Sequence, residues 1–134
     1  MTSANLELVR SIAAKWERGD WTDASWADPT IEFVVDDSLS PTSWSGPAGL
    51  AKGWLTFLSA WDDYRIEVEE IRELDEHRVL LLVLHGGRGK RSGVDIGQSR
   101  FHGAVLFEMR DGSVIRMGAY LDRNRAFAEL GLAA

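Results

Sequence analysis

The sequence predicts an α+β domain, with helices gathered in the first half and antiparallel strands in the second. Two observations carry this. Apolar residues recur at helical steps between Leu6 and Trp16, and again between Leu50 and Trp61. From Tyr64 onward the period falls to two, and an "RDG" turn joins two long apolar segments.

The first helix is expected over Ser3 to Arg18. Leu6, Val9, Ile12, Ala13 and Trp16 make one apolar face, with Ser3 or Asn5 to cap it and Gly19 to stop it. A short helix is expected over Asp23 to Trp26, and Pro29 then turns Asp28 toward extended backbone. "TIEFVV" from Thr30 to Val35 reads as a strand, and Asp36 to Gly46 as a loop rich in Ser, Asp and Pro. Pro47 suits the first turn of the second main helix, whose stripe runs Leu50, Trp54, Phe57, Leu58 and Trp61 until Asp62 and Asp63 end it.

"YRIEVEEI" alternates, so one of its faces is wet. "RVLLLVLH" is apolar on both faces, which places it centrally or under cover on both sides. "GGRGKRSG", Gly86 to Gly93, reads as a flexible basic loop or an irregular strand end. For the hairpin, a two-residue turn at Asp111 and Gly112 pairs Phe107 with Arg116. A three-residue turn with Gly112 in a left-handed bulge pairs Phe107 with Ile115 and Val105 with Met117. The second gathers Val105, Phe107, Met109, Ile115, Met117, Ala119 and Leu121 on one face and is preferred, because register follows the buried face. Asp122 caps a last helix, "RNRAFAEL", which Gly131 stops.

The 134 residues make a single domain with a core that needs no staples. There is no cysteine, which excludes a disulfide framework, a thiolate metal site and a cysteine nucleophile, and suits a cytoplasmic location. The net charge is -6 and the fifteen Lys and Arg form no basic block, so no nucleic-acid partner is expected. "VLLLVL" is too short to cross a membrane, and the first residues lack the pattern of a signal peptide. His77, His85 and His102 show no metal-ligand spacing, so neither metal nor cofactor is expected.

Trp16, Trp21 and Trp26 are five residues apart, which is neither a helix nor a strand period. They fall in "WERGDW" and before "ADPTIEF". With "SGPAGL", "GRGKRSG", "FEMRDGSVIRMGAYLDR" and "AFAELGL", in that order over nearly the whole chain, these pieces resemble the SnoaL-like branch of the nuclear-transport-factor-2-like superfamily. The resemblance implies a cone: a curved, mixed sheet wrapped around a pocket, with the helices closing it and a short helix at the C-terminus. It also implies a range of chemistries, from polyketide cyclases to ketosteroid isomerases and epoxide hydrolases, so fold alone does not give function.

The family's catalytic groups are not carried over. The positions of the ketosteroid isomerase carboxylates and tyrosine fall on Phe33 or Val34, Ile12, and Ala104 or Val105; the epoxide hydrolase aspartate falls on Ala119. None of these can move a proton. The best remaining catalytic candidate is His85, which continues Val79, Leu81 and Val83 on one strand face. An imidazole there either acts as a base toward a ligand or is a strand-end histidine satisfied by a carbonyl. The expected ligand lining is Trp16, Phe33, Trp54, Trp61, His85, Val105 and Met117, with a core role the alternative for each tryptophan and the default for Trp54 and Trp61. Trp44 is a lid or a loop anchor, and Asp36 with Asp37 is a base pair or a solvated turn.

The opposite face collects Leu80, Leu82, Leu84, Ala104, Leu106 and Tyr120, which is too apolar for open water. A homodimer through that face is therefore expected. The functional expectation is an apolar small molecule held in the cone, with isomerase, cyclase or hydrolase chemistry by proton transfer. The alternative is a non-catalytic ligand-binding or dimerisation module whose pocket is filled by its own side chains.

Overall fold

The computed structural model describes residues 3–20, 25–36, 42–58, 61–91 and 94–132. Helix α1 spans Ala4–Glu17, with Ser3 as its cap: the Ser3 hydroxyl accepts from the Leu6 N–H at 3.0 Å. Strand β1 is Ala27–Asp36, β2 is Thr42–Ser45, and α2 is Gly46–Leu58. Strands β3 (Trp61–Glu73), β4 (Arg78–Arg91), β5 (Val94–Arg110) and β6 (Ser113–Tyr120) follow, and α3 (Arg123–Leu130) closes the chain.

The six strands form one mixed sheet in the order β2-β1-β6-β5-β4-β3. Only the β1–β6 pair is parallel. Its register slips between Ala27 and Glu32, around Pro29, which has no N–H to give a ladder. Asp28 fills the gap by accepting from the Thr30 N–H at 2.9 Å and hydroxyl at 2.7 Å, and these bonds hold its carboxyl below the usual range.

On the inner face α1 and α2 supply Val9, Ile12, Trp16, Leu50 and Trp54 to a core shared with Phe33, Val79, Leu81, Phe107 and Met117. Trp16 packs edge-on to Trp54 at 5.3 Å and to Trp26 at 6.4 Å, so the first and third of the five-spaced tryptophans meet in the core. Trp21 and the first half of the expected short helix, Asp23 and Ala24, lie outside the described residues; Ser25 and Trp26 form a turn into β1.

Several expectations need correction. The loop expected from Asp36 to Gly46 contains β2, which pairs Trp44 with Phe33. The stack of these rings, 5.5 Å apart, supplies the burial that a four-residue edge strand lacks on its own. Trp61 does not continue the α2 stripe: α2 ends at Leu58 and Trp61 opens β3, its side chain lying outside the described residues. Of the two readings of Gly86 to Gly93, the irregular strand end holds: β4 pairs with β5 as far as Arg91, with a register shift between Arg88 and Lys90, and Ser92 and Gly93 lie outside the described residues.

The hairpin adopts neither expected register throughout. Asp111 and Gly112 both have positive φ, 51° and 80°, as a tight two-residue turn requires. Arg110 pairs with Ser113 and Met109 with Val114. A shift follows, so that Phe107 pairs with Met117 and Val105 with Ala119. The bulge turns Val114 into the core in place of Ile115, which is half-buried.

The outer face is also resolved differently. Leu80, Leu82, Ala104 and Leu106 are covered by Ala126 and Phe127 of α3, with Leu74, Tyr120, Leu130 and Leu132 at the margin. Asp122 accepts from the Asn124 N–H at 3.0 Å and Gly131 ends the helix at φ 68°, both as expected. The chain thus buries Leu80, Leu82, Ala104 and Leu106 under its own last helix, while Leu84 of the same expected face is half-buried outside that cluster.

Candidate functional site

Beside the helix-packed core the inner face opens into a cavity lined by Phe33, Val35, Trp54, Tyr64, Ile66, Val83, His85, Ala104, Val105, Ala119, Tyr120 and Leu121. Four of the expected lining residues meet here: Phe33, Trp54, His85 and Val105. Trp16 and Met117 do not line it; they are 2% and 0% exposed, in the core. The cavity offers about 20 Å³ to the centre of a water molecule, room for about one water as the rings now sit.

His85 lies on the face that alternation assigned to it, 4% exposed, in register with Ile66 of β3 and Phe101 of β5. Its Nδ1 is 3.2 Å from the Tyr64 hydroxyl, and the two rings meet edge to face at 5.9 Å. Burial pushes the imidazole pKa below its ordinary value, and a hydrogen bond with the Leu121 backbone opposes this only in part. Burial pushes the Tyr64 phenol up. At neutral pH the pair is therefore a neutral imidazole beside a neutral phenol.

Tyr64 was missed from sequence. The signal was there, because Tyr64, Ile66 and Val68 alternate onto one face. Nothing in that alternation shows that Tyr64 meets His85, since the β3–β4 register shifts between Asp62 and Arg65, just where Tyr64 sits.

The ring's other side rests on Gly103. A Cβ at that position would lie 2.7 Å from His85 Nε2 and 2.9 Å from Cδ2, so only glycine leaves the imidazole its place. Trp44 proves to be an anchor rather than a lid. It stacks on Phe33 beneath α2, and a Cβ on Gly53 would come within 2.8 Å of both rings. Asp37 lies outside the described residues, and Asp36 ends β1. His102 is on the outer face, exposed, with Nδ1 3.3 Å from Glu69. Among the described residues no three His, Cys, Asp or Glu side chains come together in a way that could hold a metal ion. No described helix is long and apolar enough to cross a membrane.

Comparison with protein families matches residues 9–117 to the SnoaL-like domain. The chain belongs to the SnoaL-like domain family. Solved structures agree in fold. The SnoaL-like chain is 22% identical to TerC, crystallized with polyporic acid, over 96% of this chain and 98% of that one, with a TM-score of 0.72. It is 13% identical to a nuclear-transport-factor-2-like protein of unknown function from Burkholderia pseudomallei K96243, covering 95% and 97%, with a TM-score of 0.74. It is 17% identical to a protein of ketosteroid isomerase-like fold from Catenulispora acidiphila DSM 44928 in complex with trimethylamine, covering 95% and 94%, at 0.66. At these identities the likeness shows the cone fold of the SnoaL-like chain. Comparison with curated proteins finds no match.

Proposed function

We propose that this protein binds an apolar small molecule in the inner-face cavity and sets the ligand's one polar group against Tyr64 and His85. The observation that carries the reading is the Tyr64–His85 contact of 3.2 Å inside an otherwise apolar lining. A phenol and a neutral imidazole can donate to and accept from a ligand carbonyl or hydroxyl. The chemistry available to them is proton transfer, the imidazole taking a proton and the phenol supporting the charge that develops, with no cofactor. That is the chemistry of an isomerase, cyclase or hydrolase acting on an apolar substrate. TerC, which shares the fold, was crystallized with polyporic acid.

Entry of such a ligand requires the Phe33 and Trp54 rings to move, since the present cavity has room for about one water. The same observation favours a second reading, in which the cone is self-filled and serves as a non-catalytic module. Intrinsic fluorescence separates the two, because Trp54 is the one tryptophan lining the cavity among the described residues. The expected result is a saturable change with one class among steroids, terpenoid epoxides and aromatic polyketides, lost in Trp54→Phe. Silence across the panel in both proteins would leave the self-filled reading standing.

A further inference from the structure

We propose that Arg123, on the outer face of the sheet, is a positioning residue for His85 on the inner face, acting through the paired residues Val83 and Gly103. The inference rests on the reading of Tyr64 and His85 as the ligand's polar anchor. Arg123 is the first residue of α3, and its side chain is 19% exposed. Its Nη2 donates to the Val83 carbonyl at 2.9 Å and its Nε to the Gly103 carbonyl at 3.3 Å. Val83 and Gly103 are register partners, so a single planar guanidinium ties β4 to β5 at one rung.

That rung borders the site. Val83 lines the cavity two residues before His85, and the His85 ring lies against the Gly103 backbone with no space for a Cβ. A shift of Gly103 by a few tenths of an ångström changes where the imidazole can rest and whether it reaches Tyr64. A second link runs along the chain. Leu121, two residues before Arg123, lines the cavity together with His85. Docking Arg123 therefore fixes both the seat and the neighbour of the ring.

Glu69 holds the guanidinium in turn. It pairs with Arg123 and lies 3.3 Å from His102 Nδ1. It has no Cα partner on β4, because the β3 register shifts between Val68 and Glu70; this bulge aims its carboxylate at Arg123. The Glu69 carboxyl is held below the usual range first by its bond to Arg123, with His102 adding to the effect.

The test is the imidazole titration of His85, followed by NMR beside His77 and His102 with no ligand present. It therefore fails or succeeds independently of any ligand search. Arg123→Gln removes a cation as well as the bridge, so its effect on His85 is not specific to positioning. Arg123→Lys is decisive, because it keeps the charge beside Glu69 but cannot bridge two carbonyls in one plane. The expected result is a His85 midpoint that moves up toward the ordinary value of about 6.5 in Arg123→Lys. Loss of the cross-peaks between the Tyr64 and His85 rings accompanies it. Glu69→Gln, which leaves the carbonyl bridge in place, is expected to retain the contact. An unchanged midpoint with retained Tyr64 cross-peaks in folded Arg123→Lys would overturn the proposal. Gly103→Ala supplies the second arm: the Cβ is expected to drive the ring from Tyr64, and a retained contact there would remove Gly103 as the seat.

Discussion

The Tyr64 hydroxyl stands 3.2 Å from Nδ1 of His85, joining the edge strand of the sheet to its neighbour across the cavity. Tyr64→Phe keeps the ring and removes this bond. Stability is expected to fall by about 1 kcal/mol, the usual net worth of a buried hydrogen bond. Equilibrium urea denaturation measures it, and a change within error would show that the contact contributes nothing to the folded state.

The depressed His85 pKa sets a pH dependence. As pH falls, the unfolded chain takes up the proton first, at about 6.5. The stabilisation from the neutral buried imidazole is complete above that value. It declines as pH drops from there toward the folded-state pKa. Asp28, Glu69 and Asp75, whose pKa values are also lowered, lose their contributions only in the carboxylate range further down. Denaturation midpoints between pH 8 and pH 5 are expected to fall for the native chain and to flatten in His85→Phe. An equal slope in both proteins would assign it to other groups.

Gly53 offers a test of packing against propensity. In a solvent-exposed helix, Gly→Ala stabilises by about 1 kcal/mol. Here the new methyl would sit 2.7 Å from Phe33 and 2.8 Å from Trp44, both ring atoms held in a stack. Gly53→Ala is therefore expected to destabilise, by about 1–3 kcal/mol as overpacking does. A raised melting temperature would mean that the Phe33–Trp44 stack yields freely.

Phe127 is 7% exposed and covers Leu80, Leu82 and Leu106. Phe127→Ala is expected to cost about 3 kcal/mol. Phe127→Asp leaves the outer-face leucines in water, and light scattering should then show more association than in the parent chain. Unchanged behaviour in both variants would show that α3 is dispensable as a cover.

The amino-acid sequence by itself determined the elements that depend on local chemistry. The Ser3 and Asp122 caps, the Gly131 stop, the helical stripes of α1 and α2 and the doubly apolar β4 all follow from short-range periodicity. The cone was legible from the order of its pieces, and His85 from alternation along one strand. Tertiary structure alone decided which residues meet across strands. The β3 shift that places Tyr64 beside His85, the bulge that exchanges Ile115 for Val114, and the stack that makes Trp44 an anchor each depend on register. Register follows from the burial of whole faces, and a slip of one residue costs nothing in local sequence. The outer leucines pointed in sequence to a second copy as their cover, because an apolar face requires one; only the folded chain shows that α3 packs on Leu80, Leu82 and Leu106.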